Sequence, residues 1–425
     1  MQNNEYTEKD REALLALSLL PGMTRALLAR LIGVKEPESR REESVPGQLT
    51  FLADLPGKGG GLLSPSQLLE ATEKDIRQYA GRLLRPEAAE RAASAIVDGR
   101  RRMPKVTAET LRAQGICFVT ITEKSYPEKL RQIPDPPLVL YYRGSLPKDE
   151  RPSVAVIGAR LATPYGSKEA RRFSGALAKA GVQIISGMAR GIDGIAGRAA
   201  LEQGTSFAVL GGGVDIVYPP ENRDLYEALV SGGGILSEYA PGTRPQARMF
   251  PPRNRIISGL SDIVLVVEAR KKSGTMITVD MALEQGREVF AVPGRNTDVT
   301  SGGCNSLIDQ GSGIAVSPDQ ILHALAAAGR YRMSPGGGIN GETGDKRRED
   351  AAQDEKRSQR MTLSQAVLSA LSATDLLTPE DLLPQVRDFT GEEASPAAVR
   401  AALFSLQLAG LAAEEGTGFF RRAAD

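Results

Sequence analysis

A short aromatic and basic segment carries the side chains best suited to ligand chemistry in this 425-residue sequence. Phe250 is followed by two prolines and then by Arg253, Asn254 and Arg255. Guanidinium groups bind phosphate through charge-assisted hydrogen bonds, and an aromatic ring beside them can stack on a base. The segment therefore predicts a site for a phosphate-bearing ligand that also has a base. The alternative is that the two arginines are solvated or pair with nearby acids, since charged residues usually lie on the surface.

Glycine-rich turns follow three predicted strands. The candidate ligand residues in these turns are Gly158 and Arg160 after the first strand, Ser186, Gly187 and Arg190 after the second, and Gly211 and Gly213 after the third. Glycine lets a backbone approach a ligand closely, and consecutive N–H groups can cradle an anion. Alternatively, each glycine only closes a tight connection between a strand and a helix.

Residues for catalysis or metal binding are few. His323 is the only histidine, and we interpret it as a surface or packing residue. Cys117 and Cys304 have no CxxC partner, which argues against a zinc site and a disulfide scaffold. The acids near strand ends are suited either to acid–base work on a nucleotide or to orienting the arginines, and we favour orientation. They are Asp193, Asp215, Glu238 and Glu268. We therefore predict no catalytic residue, no cofactor and no metal.

The elements that must position these residues alternate between strand and helix. Short apolar runs of buried-strand type occupy residues 153–157, 182–185, 207–210, 234–236, 263–267, 289–292 and 314–316. Helix-like segments lie between most of them, and one such segment, 256–260, comes directly after the basic triplet. This pattern predicts an α/β fold with a doubly wound, mostly parallel sheet of extended Rossmann-like type. Ligands of such sheets bind outside the carboxyl ends of the strands.

The sequence argues against two familiar nucleotide sites. A dinucleotide fold needs G-x-G-x-x-G after its first strand and an acid at the end of the second. Here only Gly158 stands in the first turn, and the second strand ends in Ser186-Gly187. A phosphate-binding loop with G-x-x-x-x-G-K-[ST] does not occur either.

Four regions differ in composition. Residues 1–104 predict a helical domain similar to a SAM or helix-hairpin-helix module, in which a packing or dimerisation role is favoured over DNA contact. Residues 35–66 are predicted to be an inserted loop. Residues 105–330 form the Rossmann-like domain, whose lead-in, 105–150, is predicted to bridge to it. Residues 331–360 are a predicted flexible linker, in which 334–360 hold six bases and six acids. Residues 361–425 predict a winged helix, but nine acids against four bases favour protein contact or packing.

The overall charge and hydropathy limit the functional classes. Net charge is only +1, so a nucleic-acid site must be a local patch. No apolar run approaches the roughly 20 residues that a membrane span needs. The polar, acidic residues 1–10 are unlike a signal peptide. These features predict a cytoplasmic protein.

The ordered motifs between residues 116 and 316 resemble the DNA-processing protein A family, also called DprA or Smf. They are Tyr126-Pro127, Pro136-Pro137, Gly158-Ala159-Arg160, Tyr165-Gly166, residues 186–193, residues 211–213 through Tyr218-Pro219 and Asn222, residues 250–257, Glu268, Ser273-Gly274 with Thr278, residues 286–294, and residues 305–308. The resemblance implies a homodimer that binds single-stranded DNA, protects incoming DNA in natural transformation and loads the RecA recombinase against single-strand-binding protein.

The resemblance also implies roles for individual residues. Gly158, Arg160, Ser186, Gly187 and Arg190 would line the pocket at the strand ends. The residues that would contact phosphate and base are Phe250, Arg253, Asn254 and Arg255. The remaining implied DNA-binding residues are Gly211, Gly213, Ser273, Gly274 and Asn305.

The sequence departs from the family pattern at Ala159, Gly197 and Cys304, where the family commonly has Ser, His and Thr. A rival resemblance is to nucleoside-monophosphate-cleaving enzymes of the "Lonely guy" type. Those enzymes carry P-G-G-x-G-T-x-x-E, whereas residues 272–278 here lack the glutamate. A third possibility is a scaffold that contacts protein through its tail and no longer binds DNA.

Overall fold

The structure is a computed structural model that describes residues 7–34, 62–101, 106–331, 363–371, 377–390, 395–408, 411–414 and 419–422. The chain divides into two compact units, Met1–Ile339 and Asn340–Asp425. The predicted linker lies outside the described residues except for Tyr331, and so does the predicted inserted loop up to residue 61.

Six helices are described in the N-terminal part of the first unit. They are α1 (Glu8–Ser18), α2 (Arg25–Leu31), α3 (Pro65–Glu70), α4 (Glu73–Leu83), α5 (Pro86–Arg100) and α6 (Ala108–Ala113). Thr7 caps α1 in a capping box with Asp10, and the same carboxylate accepts the backbone N–H of Ser66 at 3.1 Å. One buried acid therefore joins the starts of α1 and α3. Gly22 has φ +82° in the turn between α1 and α2, which suits glycine.

A nine-stranded sheet forms the centre of the first unit. Its strands are β1 (Cys117–Thr120), β2 (Val139–Gly144), β3 (Ser153–Ile157), β4 (Gln183–Ser186), β5 (Ser206–Val209), β6 (Gly233–Ser237), β7 (Ile263–Val266), β8 (Glu288–Ala291) and β9 (Gly313–Ile314). The order is β1-β2-β6-β5-β4-β3-β7-β8-β9. The seven neighbouring strands β6-β5-β4-β3-β7-β8-β9 are parallel. Strands β1 and β2 add an antiparallel edge beside β6. The lead-in is thus part of the sheet and not only a bridge, because Tyr142 pairs with Leu236.

Helices cover both faces of this sheet. They are α7 (Glu128–Arg131), α8 (Pro164–Lys179), α9 (Ile192–Leu201), α10 (Arg223–Gly232), α11 (Phe250–Gly259), α12 (Gly274–Glu284), α13 (Gly302–Asp309) and α14 (Pro318–Ala327). Alternate residues of β3 enter different cores: Val154 and Val156 pack with Phe173 of α8, whereas Ala155 and Ile157 lie in the larger core. This period of two confirms the predicted doubly wound α/β fold.

The larger core also contains the buried leucines of the N-terminal helices. Leu28 of α2 and Tyr141 of β2, for example, belong to the same buried cluster. The N-terminal helices and the sheet therefore lie in one compact unit. A domain boundary at residue 104 stays a prediction.

The second unit has three described helices and a two-stranded ribbon. They are α15 (Leu363–Ala370), α16 (Pro379–Thr390), α17 (Pro396–Leu408), β10 (Ala412–Glu414) and β11 (Phe420–Arg422). Val367, Leu382, Val399 and Leu403 are fully buried in its core. Arg400, the one base of the third helix, pairs with Glu380 at 2.9 Å. The helices and ribbon are those that a winged helix requires, and the winged-helix assignment itself stays a prediction.

Candidate nucleic-acid interface

The start of α11 lies against the glycine turns at the carboxyl edge of the sheet. Pro251 and Pro252 occupy its first turn, where proline is tolerated because those N–H groups have no helical partner. The sequence predicts that this helix begins after the basic triplet, and that prediction is wrong: the helix begins at Phe250. A Cβ on Gly211 would lie 2.9 Å from the Phe250 ring, and one on Gly187 would lie 2.8 Å from the Arg253 guanidinium. These glycines admit protein side chains at close range.

Phe250 is the centre of an aromatic and cationic cluster. Its ring centroid lies 5.8 Å from that of Tyr218, with 33° between the planes. The guanidinium carbons of Arg160 and Arg253 lie 5.6 and 5.7 Å from the same centroid, within the range of cation–π attraction. Arg160 is exposed, Phe250 is half-buried and Tyr218 is 48% exposed. The cluster thus presents an aromatic surface with a cation at its margin.

Arg253 lies beneath this surface. Its Nη1 donates to the carbonyl oxygen of Gly187 at 2.9 Å and to that of Val209, so it joins the ends of β4 and β5. Its Nε donates to the Asn254 side-chain oxygen at 3.2 Å. Burial lowers the pKa of Arg253 to about 10, while the nearby Asp193 acts in the opposite direction. Burial likewise raises the pKa of Asp193, whose Oδ2 accepts the N–H of Gly187 at 3.1 Å.

Arg255 is also buried and has protein partners. Its Nη1 and Nη2 donate to the two oxygens of Glu238 at 2.8 and 2.7 Å. Its Nε donates to the carbonyl oxygen of Asp135 at 2.7 Å and lies 3.2 Å from the carboxylate of the same residue. The pairing with Glu238 is the orienting role that the sequence favours for that acid.

The turn after β4 has a constrained backbone. Met188 has φ +54°, which is uncommon for a residue with a Cβ, and the Asn222 side-chain nitrogen donates to its carbonyl oxygen at 3.0 Å. Ser186 is buried and donates to the carbonyl oxygen of Val156 at 2.8 Å. Arg190 is exposed and lies 2.5 Å from Glu221. Within this turn, Arg190 is the predicted site residue that reaches solvent.

Glu268 fills the crevice where the strand order reverses, between β3 and β7. Its carboxylate accepts the N–H of Thr163 at 2.9 Å and the hydroxyl of Thr163 at 2.5 Å. Thr163 is the N-cap of α8, the place where a dinucleotide fold binds pyrophosphate. A Cβ on Gly166 would lie 2.1 Å from Glu268, so glycine makes room for the carboxylate. A protein acid thus occupies the usual phosphate position.

The other predicted site residues divide between closely packed and open positions. A Cβ on Gly158 would meet Ile192 at 2.7 Å, and one on Gly213 would meet Asp215 at 2.5 Å. Asn305 exchanges two hydrogen bonds with the backbone of Gly294, at 3.0 and 3.1 Å. Gly274 is exposed, with no atom within 4 Å of an added Cβ, and follows Ser273, the N-cap of α12.

Tyr218 is a surface residue of the cluster that the sequence-based site list omits. It precedes a cis peptide bond to Pro219. An aromatic residue directly before a proline in a glycine-rich turn is the signal that could have identified it. The structure therefore brings together Arg160, Gly187, Gly211, Phe250 and Arg253, and adds Tyr218 to them.

The described residues include few groups suited to catalysis or metal binding. Among the described residues, no group of three His, Cys, Asp or Glu side chains could hold a metal ion. His323 is exposed on α14. Cys304 is fully buried, and burial raises the pKa of its thiol to about 12.

No helix within the described ranges is long and apolar enough to cross a membrane.

Comparisons with known proteins identify the family of this chain. A family model described as DNA recombination-mediator protein A matches residues 117–326. Protein Smf of Synechocystis is 45% identical over 215 residues, which cover 49% of this chain and 54% of that protein. DNA processing protein DprA of Bacillus subtilis is 41% identical over 226 residues, which cover 53% of this chain and 76% of that protein. The chain thus matches about half the length of the Synechocystis relative.

A solved structure gives the same result for the fold. The X-ray structure of DNA processing protein A from Streptococcus pneumoniae is 33% identical, with a TM-score of 0.52, and the match covers 60% of this chain and 90% of that one. The matched family consists of DNA-processing proteins and not of nucleotide-cleaving enzymes. The chain belongs to the DNA recombination-mediator protein A family, also called DprA or Smf.

Proposed function

We propose that this protein binds single-stranded DNA at the carboxyl edge of its sheet and acts as a mediator of DNA recombination in natural transformation. The observation that carries the proposal is the Phe250 ring, flanked by Tyr218 and by the guanidinium groups of Arg160 and Arg253. Such a surface suits an unpaired base with its phosphate held alongside.

A single strand fits this surface better than a duplex. Bases stack on aromatic side chains only when they are unpaired, and each stacked base is worth about 1–3 kcal/mol. A duplex is held mainly through its phosphates and needs a broad basic surface. The net charge of +1 does not provide such a surface over the whole molecule.

The predicted site residues take two kinds of role in this proposal. Arg160, Arg190 and Phe250 are accessible enough to contact DNA, together with Tyr218. Gly274, Ser273 and Asn254 are further candidates for contact. Support of the surface is assigned to the buried or closely packed group, which comprises Gly158, Ser186, Gly187, Gly211, Gly213, Arg253, Arg255 and Asn305.

Family membership supports a proposal about the partners. We infer that the protein acts as a homodimer in the cytoplasm and loads RecA onto single strands that carry single-strand-binding protein. Membership of a family described as a recombination mediator supports this inference. It is tested by strand exchange on single-stranded DNA coated with single-strand-binding protein. RecA activity should increase when the protein is added, and an unchanged rate would contradict the loading role.

DNA binding itself is tested by fluorescence anisotropy of a labelled oligo-dT and of a duplex of equal length over a range of salt concentrations. We expect the single strand to bind more tightly, with a steep dependence on salt. The variant Arg160→Ala should weaken binding and lower the salt slope by about 0.7, the value for one phosphate contact on a single strand. Equal, weak binding of both DNAs by the unmodified protein would overturn the proposal.

A further inference from the structure

A second group of exposed bases lies on the same edge of the sheet, beyond the crevice. Arg270, Lys271 and Lys272 lie in the turn after β7, and Arg295 lies in the turn after β8. All four side chains are exposed. Within the described part of the chain, none of them forms an ion pair or a hydrogen bond through its side chain. The four bases are called the β7–β8 basic group below.

The sheet topology places this group in line with the Phe250 cluster. Parallel strands end at one edge, and the order β5-β4-β3-β7-β8 puts the turn of Gly211 at one end and Arg295 at the other. Four strand spacings of about 4.8 Å separate these ends, or roughly 19 Å. Arg160, which follows β3, lies between them. A stacked strand rises about 3.4 Å per nucleotide, so about six nucleotides span the distance.

The surface between the two groups is open and carries little negative charge. Glu268 is buried and its carboxylate accepts a hydrogen bond from Thr163, so its negative charge does not repel a phosphate at the surface. Leu161 and Val299, which belong to the turns after β3 and β8, are 83% and 69% exposed. Asp298 is an exposed acid of this region. Apolar side chains next to unpaired cations suit the alternating bases and phosphates of a single strand.

We propose that the β7–β8 basic group is a second phosphate-binding subsite, which holds the same single strand several nucleotides from the base stacked on Phe250. The proposal rests on the proposed function and extends it to the path of the DNA. It identifies the ligand as a single strand long enough to reach both groups. A mononucleotide or a very short oligonucleotide would occupy only one of them.

The test compares Lys271→Ala/Lys272→Ala with a control pair, Lys148→Ala/Lys179→Ala. Lys148 and Lys179 are exposed and lie at the opposite edge: Lys148 contacts Gln183 at the start of β4, and Lys179 ends α8. Both double variants lose two positive charges, so the general effect of net charge is the same. Lys271 and Lys272 follow β7, three strand spacings or roughly 14 Å from the turn of Gly211, a distance that about four nucleotides span. Affinity is measured by anisotropy for oligo-dT of about two and about twelve nucleotides, which are shorter and longer than this distance.

For the longer strand, Lys271→Ala/Lys272→Ala should lower the salt slope by about 1.4 and weaken binding roughly ten- to thirty-fold near 0.1 M salt. The shorter strand should bind this variant as tightly as it binds the control pair. Wild-type affinity for the longer strand, or an equal loss for both lengths, would overturn the subsite. If the unmodified protein bound neither strand, the proposed function itself would fail, and this outcome is distinct from the others. Thermal unfolding of each variant verifies that the fold is retained.

Discussion

The guanidinium carbon of Arg160 lies 5.6 Å from the centre of the Phe250 ring, although the two residues are on different elements. Arg160 follows β3 and is exposed, whereas Phe250 begins α11. A cation in this position holds the ring and keeps its remaining donors free for an anion. The pair therefore combines one group suited to a base with one suited to the adjoining phosphate.

Replacement of Phe250 by alanine should weaken the binding of oligo-dT about five- to 150-fold, because stacking on one base is worth about 1–3 kcal/mol. The salt slope should not change, since no phosphate contact is removed. Phe250→Tyr is the matched control: it keeps the aromatic face and should bind nearly as well as the unmodified protein. Full affinity of Phe250→Ala at every salt concentration would contradict stacking on this ring.

Arg255→Ala should lower the melting temperature by several degrees. Glu238 would be left without its partner in a position where both side chains are at most 15% exposed, and such losses cost about 3–5 kcal/mol. The double variant Arg255→Met/Glu238→Gln removes both charges and should recover part of the loss. Scanning calorimetry measures both values, and an unchanged melting temperature for Arg255→Ala would show that the ion pair is unimportant for stability.

The variant Arg253→Ala/Arg255→Ala separates two roles for these arginines. The sequence predicts weaker strand binding and a salt slope lower by up to about 0.7 per lost phosphate contact. Their burial instead leads us to expect a lower melting temperature and a nearly unchanged slope. Anisotropy over a salt series, with thermal unfolding of the same preparation, measures both. A reduced slope with unchanged stability would restore these residues as phosphate contacts.

The two thiols should differ sharply in reactivity. Cys117 is exposed and should react with a thiol reagent in the native protein, whereas the buried Cys304 should react only after unfolding. Burial raises the pKa of Cys304 from 9.0 to about 12, so the thiol ionises at lower pH in the unfolded chain. Its contribution to stability is therefore complete below about pH 9 and is lost as pH rises towards 12.

A thiol count with and without denaturant measures this reactivity. Cys304→Ala serves as the control in the pH series, and its melting temperature should fall less between pH 9 and 12 than that of the unmodified protein. Fast reaction of two thiols in the native state would contradict the burial of Cys304.

Deletion of residues 361–425 should leave strand binding largely intact. The region has nine acids and four bases, and its described part contains its own small core. Anisotropy with the same oligo-dT tests the shortened protein. A collapse in affinity, with the first unit still folded, would show that the acidic tail takes part in binding.

The sequence predicts the strands well because local patterns determine them. The run 153–157 matches β3, and its uniformly apolar character reflects burial on both faces of the sheet. The antiparallel addition of β1 and β2 could not be predicted in this way. Their place depends on pairing between distant segments, such as Tyr142 with Leu236, and a local pattern contains no information on the partner.

The site, like the fold, has features that the sequence predicts and features that it does not. The sequence identifies Phe250 and Arg160 from residue type, and the structure brings them together. It does not predict that Arg253 and Arg255 are buried, because α11 starts at Phe250 and carries both residues into its packed part. Prolines in a first helical turn look like a loop in the sequence, so the arginines seemed to precede the helix.

The carboxylate of Glu268 at the N-terminus of α8 has a consequence for how this fold can change. Glu268 acts as an internal ligand, so a small phosphorylated molecule would have to displace a competitor that is attached to the same chain. A free anion therefore finds the donors of Thr163 already occupied by a carboxylate of the same chain. Conversion of the scaffold into a dinucleotide-binding protein would require the removal of this acid, in addition to the glycine fingerprint that the first turn lacks.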